Sequence, residues 1–294
     1  MTDLSAERYD RHREAGDILA TVLEEAADRV EPGVRLLDVA EEAENRIREL
    51  GGEPAFPVNI SLNEEASHAT PAPDDESIFG EDMVCVDIGV HVDGWIADAA
   101  VTVDHTGTPA MVEAAEDALE AAIDAVAPGV HTGEVGAAIE DAIADTEYNP
   151  VVNLSGHGLA EYDAHTGPNI PNRGVDTGID LEVGDVVAIE PFVTDGTGKV
   201  SEGSKEQIYS VVEERSVRDR RARQLLETVS ERYRTLPFAL RWLSDDRAEM
   251  SLRRLTMADV VRGYPVLKED DGRLVSQAEH TVIVTENGCE VTTR

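Results

Sequence analysis

The sequence feature that most restricts the fold is an internal repeat with an offset of 96 residues. The segment VLEEAADRVEPGV at 22–34 aligns with ALEAAIDAVAPGV at 118–130, and Pro54 then aligns with Pro150 without a gap. Each copy contains a long helical stretch, a Pro-Gly turn, a second helical stretch and a strand. Similar composition of acidic helices could explain part of the match, but the shared turn at the same phase favours a duplication. We therefore predict two helix-helix-strand halves around a pseudo-two-fold axis, with a site between them.

A hairpin is predicted for VCVDIGVHVDGWIADAAVTV at 84–103, where two alternating stretches meet at Asp93-Gly94. An Asp-Gly pair in this position predicts a two-residue turn, which sets Asp98 opposite Gly89. Asp87 then points to the same face as Asp98, with Cα atoms about 7–8 Å apart. Two carboxylates directed at one place repel each other unless protons or cations lie between them, so the hairpin predicts a cation site. A slip of one residue in the register would move Asp98 to the opposite face.

The composition indicates a globular protein with a very acidic surface. The 294 residues include 61 acidic and 25 basic side chains, which gives a formal net charge of −36. Acids dispersed over amphipathic stretches are typical of halophilic proteins, although an acidic patch for a basic partner is the alternative. Nucleic-acid binding by the whole surface is disfavoured because phosphates would be repelled. Two distant cysteines, a polar N-terminus and the lack of a long apolar run predict a cytoplasmic protein without a disulfide scaffold, signal peptide or transmembrane segment.

The rest of the chain is predicted to consist mostly of strands, interrupted by an arginine-rich stretch. Residues 185–195 and 206–213 are predicted strands, and 278–286 forms a final hairpin with 289–294. Residues 214–273 contain 13 of the 22 arginines and are predicted to be an inserted helical subdomain, which leaves 1–213 plus 274–294 as the main domain. These arginines either pair with the abundant acids or form a basic surface for RNA or a ribosome.

Further candidate metal ligands lie near predicted strand ends. Glu190 interrupts the apolar run VVAIEPF, Glu279 leads into HTVIV, and His157 lies in LSGHG. A carboxylate in an apolar run is costly unless it is paired or binds a metal, although a salt bridge or hydrogen bond would explain each residue alone. With Asp87 and Asp98 they supply four carboxylates and one imidazole, a charge that balances two divalent cations. Such a ligand set suits Mn(II), Fe(II), Co(II) or Zn(II), and a two-metal site can hold a bridging hydroxide.

Five segments resemble the methionine aminopeptidases of the pita-bread metallopeptidase fold, especially the type II form found in archaea and eukaryotes. The segments are PAFPVNISLNEEASHATP (54–71), DIGVHVDGWIADAAVT (87–102), LSGHGLAEYDAHTGPNIPN (154–172), GDVVAIEPFVTDGTG (184–198) and SQAEHTVIVTENG (276–288). The resemblance implies an α+β pita-bread (creatinase/aminopeptidase) fold with duplicated halves, and the stretch 214–273 lies where type II enzymes carry an insert. It also implies a cytoplasmic, monomeric hydrolase that removes the initiator methionine from nascent proteins, with the ribosome as an open candidate partner and no specific DNA.

The resemblance also implies the metal ligands and their roles. Two divalent ions are expected, held by Asp87, Asp98, His157, Glu190 and Glu279. Asp98 and Glu279 would bridge both ions, and Glu190 would also exchange protons with the bridging water. A metal-bridging hydroxide is then expected to attack the scissile carbonyl, and Glu190 would pass the proton to the leaving amine.

The remaining site residues implied by the resemblance face the substrate. His68 matches the histidine that contacts the scissile amide, and His165 matches a second active-site histidine that stabilises the oxyanion. Phe56, Pro57 and Asn59 lie where the family lines its pocket for the N-terminal methionine.

Two residues depart from the family pattern. Ala69 and Ala164 stand where bulkier side chains are expected, which leaves open a wider pocket and a less strict preference for methionine. An X-Pro exopeptidase of the same fold is one alternative. A non-catalytic pita-bread protein that binds RNA or the ribosome is another.

Overall fold

The computed structural model describes residues 4–213, 215, 217–245 and 247–294. In these residues the helices are α1 (Leu4–Asp28), α2 (Leu36–Glu49), α3 (Pro109–Ala125), α4 (Thr132–Ala144), α5 (Arg220–Tyr233), the 3-10 helix Leu240–Trp242 and α6 (Ala248–Thr256). The strands are β1 (Glu53–Pro54), β2 (Asn59–Leu62), β3 (Glu65–Ser67), β4 (Met83–Val92), β5 (Trp95–Asp104), β6 (Asn149–Pro150), β7 (Ser155–Ala160), β8 (Asp163–Pro171), β9 (Val186–Ile189), β10 (Phe192–Thr194), β11 (Ser201–Val211), β12 (Phe238–Ala239), β13 (Val261–Lys268), β14 (Val275–Gln277), β15 (His280–Thr285) and β16 (Gly288–Val291). No helix in this part of the chain has the length and apolar content that a bilayer crossing requires.

The predicted duplication is confirmed by the order of elements and by the turn between the helices. The elements α1, α2 and β1 recur as α3, α4 and β6, and β1 and β6 are offset by the same 96 residues as the sequence repeat. The turn glycines Gly33 and Gly129 have φ angles of 93° and 83°, which favour glycine. Their N–H groups donate to the carbonyls of Phe79 at 2.8 Å and Leu181 at 2.7 Å. The two copies therefore anchor their turns to equivalent segments.

Each half packs two helices against one side of a sheet. Leu19 and Ile47 of the first helix pair are buried in a cluster with residues of β4 and β5. Leu119 and Ile139 of the second pair are buried in a cluster with residues of β9 and β15. Burial of side chains of this size contributes about 1.5–3 kcal/mol each. Because neighbouring residues of a strand point to opposite faces, the other face of these sheets is free to carry polar side chains.

The hairpin prediction is confirmed, including its register. β4 and β5 pair antiparallel with Gly89 opposite Asp98 and Asp87 opposite Ala100. The turn residues Asp93 and Gly94 have φ angles of 52° and 92°, the conformation of a two-residue hairpin turn. Asp87 and Asp98 therefore share a face.

The arginine-rich segment contains strands as well as helices, which differs from the prediction. The stretch 214–273 was predicted to be helical, but α6 ends at Thr256 and a turn leads into β13. Asp259 in this turn has a φ of 53°, which interrupts the helix. The following β-branched pair, Val260 and Val261, is buried against the core of α5 and α6. β13 pairs with both β11 and β3, so we propose 214–273 as an inserted subdomain whose last strand joins a sheet of the main domain.

Candidate metal centre and substrate cavity

Five side chains from both halves converge on one cavity. Asp98, His157 and Glu279 each offer a ligand atom, and these atoms lie within 4.8 Å of one another. His157 Nε2 is 3.8 Å from Asp98 Oδ2 and 3.8 Å from Glu190 Oε1. Asp87 and Glu190 line the same cavity. The structure therefore brings together all five residues that the sequence singled out as candidate ligands.

The two halves meet at this point through backbone hydrogen bonds. Glu279 N donates to Ala100 O at 3.1 Å, and Ala100 N donates to Glu279 O at 3.4 Å. Thr281 makes a second junction, because its hydroxyl donates to Asp98 O at 2.8 Å and accepts from Asp98 N at 2.8 Å. β5 of the first half and the segment leading into β15 of the second are thereby fixed side by side. This junction places the carboxylates of Asp98 and Glu279 next to each other.

Burial and mutual repulsion dominate the electrostatics of the cluster. Burial, with the charges of neighbouring carboxylates, raises the pKa of Asp98, Glu190 and Glu279 well above their usual range. Burial raises the pKa of Asp87 to about 7. Burial also lowers the pKa of His157 to about 3. The imidazole is therefore neutral at pH 7, which is the form that binds metals.

The unpaired atoms of the cluster suit divalent cations. Asp87 Oδ1, Asp98 Oδ1 and Glu279 Oε1 are buried and have no hydrogen-bond partner among the described residues. Buried polar atoms are normally satisfied, so three such oxygens in one cavity indicate a binding site for cations. The side chains that line the cavity in the described part of the chain include no Lys or Arg. Bound cations would satisfy the free oxygens and lower the raised pKa values.

A chain of two hydrogen bonds orients the Glu279 carboxylate on the side away from its free oxygen. Gln277 Nε2 donates to Glu279 Oε2 at 2.9 Å, and Cys85 Sγ donates to Gln277 Oε1 at 3.0 Å. These bonds orient the carboxylate so that its other oxygen remains free for the cavity. Sequence reasoning missed Gln277. The two-residue spacing between Gln277 and Glu279 on an extended segment was the available signal.

The histidines outside the ligand set lie at the substrate side of the cavity. His68 follows β3 with a φ of 63°, a strained conformation for a residue with a side chain. Its Nδ1 is 3.2 Å from Pro265 O, and its ring packs edge-on against Tyr264 at 5.3 Å. Burial lowers the pKa of His68 to about 4, so its ring is neutral at pH 7. The ring of His165 lies 4.4 Å from that of His157.

The apolar side of the cavity differs in part from the prediction. Phe56 and Asn59 line it, whereas Pro57 is buried and is not among the lining residues in the described chain. Sequence reasoning missed four lining residues, which are Ser67 of β3, Ile208 of β11 and, from the insert, Pro237 and Tyr264. No local pattern marked the last three. Ile208 and Tyr264 are brought together by the pairing of β11 with β13, and Pro237 precedes β12, which also pairs with β11.

Glycine at position 89 makes room for one of these side chains. A Cβ atom at Gly89 would collide with the ring of Phe56. Neither Ala69 nor Ala164 is among the lining residues of the cavity in the described part of the chain. Ala69 borders a separate groove with Ile60 and Val266, and Ala164 is buried in a cluster with Phe56.

Comparisons with known proteins agree with this geometry. The sequence matches metallopeptidase family M24 over residues 10–286, a range that includes both repeats, the insert and all five candidate ligands. A methionine aminopeptidase of Archaeoglobus fulgidus is 51% identical over 282 residues, with 96% of this chain and 97% of the relative covered. One of Methanocaldococcus jannaschii is 48% identical over 294 residues, with 99% and 100% covered. The crystal structure of a methionine aminopeptidase from Thermotoga maritima superposes with a TM-score of 0.71 at 26% identity, covering 98% of this chain and 97% of that one.

Proposed function

The chain belongs to metallopeptidase family M24, and we infer that it is a methionine aminopeptidase, which hydrolyses the N-terminal methionine from proteins. The observation that carries this function is the convergence of four carboxylates and one neutral imidazole in a single cavity. Near-full-length identity of about half to two methionine aminopeptidases specifies the reaction for that site.

Family membership implies divalent metal ions, and we propose two of them. Their ligands would be Asp87, Asp98, His157, Glu190 and Glu279. Four carboxylates balance the charge of two divalent cations, and the neutral imidazole adds one nitrogen ligand. The donor set admits Co(II), Mn(II), Fe(II) or Zn(II). Bound metal ions would supply an acidified water as nucleophile and would polarise the scissile carbonyl.

The side chains around the centre have separate tasks in this proposal. Glu190, whose side chain is 15% exposed against 3% for Asp98, would carry the proton from the nucleophile to the leaving amine. His165 would stabilise the negative charge that develops on the carbonyl oxygen. His68 would hydrogen-bond the scissile amide, since its Nδ1 is engaged with Pro265 O and its other nitrogen remains for substrate.

The methionine side chain would occupy the apolar part of the cavity. Phe56, Ile208, Pro237 and Tyr264 offer apolar surface there, and Asn59 is the polar residue beside them. Two of the five come from the insert. The insert would therefore contribute directly to substrate selection.

The finer assignments of partner and location are also proposals. We propose a cytoplasmic monomer that acts on nascent chains near the ribosome. Support comes from the insert, where ion pairs among the described residues involve only four of the arginines, which are Arg215, Arg241, Arg254 and Arg273. The other arginines of the insert form no ion pair within the described residues, and they would be the ones to contact an anionic surface such as RNA.

A panel of Met-Ala, Ala-Pro and X-Pro peptides tests the function. Hydrolysis of the Met-Ala peptide alone is expected, and it should fall at least ~100-fold in Glu279→Ala and His68→Ala variants. Thr228→Val, on an exposed face of α5, is the control. Preference for X-Pro peptides would refute the proposed specificity, and a fully active Glu279→Ala variant with intact metal content would refute the assigned site.

A further inference from the structure

A buried ion pair lies outside the metal centre and connects the insert to the main domain. Glu44 of α2 and Arg241 of the 3-10 helix bond through Oε1 and Nη2, with side chains only 4% and 2% exposed. Trp242 Nε1 donates to the other carboxylate oxygen of Glu44 at 2.7 Å. Charged side chains are almost never this buried unless they are paired. The pair therefore fixes the insert to α2 at one defined place.

The ion pair is part of a closed ring of hydrogen bonds. Arg241 Nη1 donates to Thr70 Oγ1 at 2.6 Å, and Thr70 Oγ1 donates to Val58 O at 2.7 Å. Val58 N donates to Glu44 Oε1 at 3.3 Å, which completes the ring. Four residues from four separate segments are thus held by one another. We call this set, Glu44, Arg241, Thr70 and Val58, the clamp ring.

Two segments of the clamp ring carry side chains of the substrate cavity. Val58 stands between Phe56 and Asn59, and Thr70 stands two residues after His68. His68 has the left-handed φ of 63°, a conformation that persists only when its surroundings impose it. On one side His68 is held by Pro265 of the insert, and on the other side the nearest side-chain anchor of its segment is Thr70.

Stability alone is a poor explanation for this arrangement. A buried ion pair stabilises the folded state no more than well-packed apolar side chains of similar size would. Its fixed geometry, however, restricts where the attached segments can lie. The planar guanidinium of Arg241 contacts Glu44 and Thr70 at once, which a flexible point charge would not reproduce.

We propose that Arg241 and Thr70 are positioning residues for His68, and that the clamp ring makes the insert part of the catalytic apparatus. This inference rests on the proposed role of His68 at the scissile amide. Without the ring the segment 68–71 would keep its fold but lose its fixed distance to the metal centre.

Thr70→Val tests the proposal with a variant of nearly unchanged shape. It leaves the Glu44–Arg241 pair intact and removes the hydroxyl that joins it to Val58. We expect kcat/KM for a Met-Ala peptide to fall at least ~10-fold, because displacements of about 1 Å in an active site can cost ~100-fold. Metal content and melting temperature should change little. Thr228→Val, whose hydroxyl bonds within α5, should leave the rate unchanged.

The same substitution in a His68→Ala background separates positioning from a general structural role. If Thr70 acts through His68, Thr70→Val should lower kcat/KM by less than ~2-fold there, since coupled residues are not additive. A second readout is the imidazole resonance of His68 in metal-free protein, which Thr70→Val should shift and Thr228→Val should not.

Full additivity of the two substitutions, or a Thr70→Val variant with normal rate and an unshifted resonance, would overturn the inference. A His68→Ala variant with normal turnover would instead overturn the proposed function of that histidine. Arg241→Lys serves as a further variant, because it keeps the positive charge but replaces the planar guanidinium with a single ammonium group. It should reproduce the Thr70→Val effect and its dependence on His68, and a normal rate in Arg241→Lys would contradict the proposal.

Discussion

Metal-free protein should become less stable as the pH rises through the range in which the cluster loses its protons. Burial raises the pKa of Asp87 from 3.8 to about 7 in the folded state. Between these values the folded protein binds more protons than the unfolded chain, so the free energy of unfolding decreases with rising pH. The stabilising contribution of the protonated carboxyl is present below pH ~4 and is lost as the pH passes ~7.

The size of this effect follows from the shift. A difference of about three pH units corresponds to about 4 kcal/mol, at about 1.4 kcal/mol per unit. Asp87→Asn removes this titration and nearly preserves the shape of the side chain. The Asp87 charge also raises the pKa of Asp98, Glu190 and Glu279, so the substitution relieves their repulsion as well. We expect the variant to match the parent near pH 4 and to be more stable by up to about 4 kcal/mol near pH 8.

Urea unfolding of chelator-treated protein at constant ionic strength measures this difference. Comparison with the variant at each pH cancels the contribution of the acidic residues outside the cluster. Asp117→Asn, on the exposed side of α3, is the matched control and should track the parent. Parallel curves for Asp87→Asn and the parent from pH 4.5 to 8 would refute the reasoning. A divalent cation should reverse the loss at high pH, since its binding needs deprotonated carboxylates.

Three further substitutions address the metal centre and the cavity. Glu279→Ala should lower bound metal, measured by elemental analysis of protein purified without chelator, and normal metal content would contradict its ligand role. Gln277→Leu should weaken metal affinity by ~10–100-fold in a calorimetric titration, because the substitution removes the amide that orients the Glu279 carboxylate. Unchanged affinity would contradict this role of Gln277. Gly89→Ala should displace Phe56, cost about 1–3 kcal/mol of stability and raise KM for Met-Ala peptides, and an unchanged KM would show that the ring does not line the methionine pocket.

Local features of the sequence were sufficient to predict the hairpin and the repeat. The Asp93-Gly94 turn fixed the register, and the period of two then placed Asp87 and Asp98 on one face. The repeat predicted the helix pairs because both copies keep the same turn. In each case the determining residues are close in sequence, so their conformation depends on short-range sterics and hydrogen bonding.

The insert resisted prediction because its strand is defined by distant partners. β13 pairs with β11, where Val261 lies opposite Val211 and Lys268 opposite Ser201. It also pairs with β3, where Leu267 lies opposite Ser67. No local sequence pattern predicts that Pro237 and Tyr264 line the cavity. The clamp ring was equally hidden, since Glu44 resembles the many solvated acids of the helices until Arg241 is placed against it.

The arrangement explains why several unfavourable features coexist in the cavity and in the segments packed beside it. Four carboxylates, a strained histidine and a buried ion pair all oppose folding when each is considered alone. They lie where the two halves and the insert meet, so each is held by contacts that belong to another segment. Thr281 holds Asp98 across the halves, and Arg241 holds Thr70 across the insert. A site assembled in this way depends on the relative placement of all three parts, and its candidate metal ligands are brought together only when the whole chain is folded.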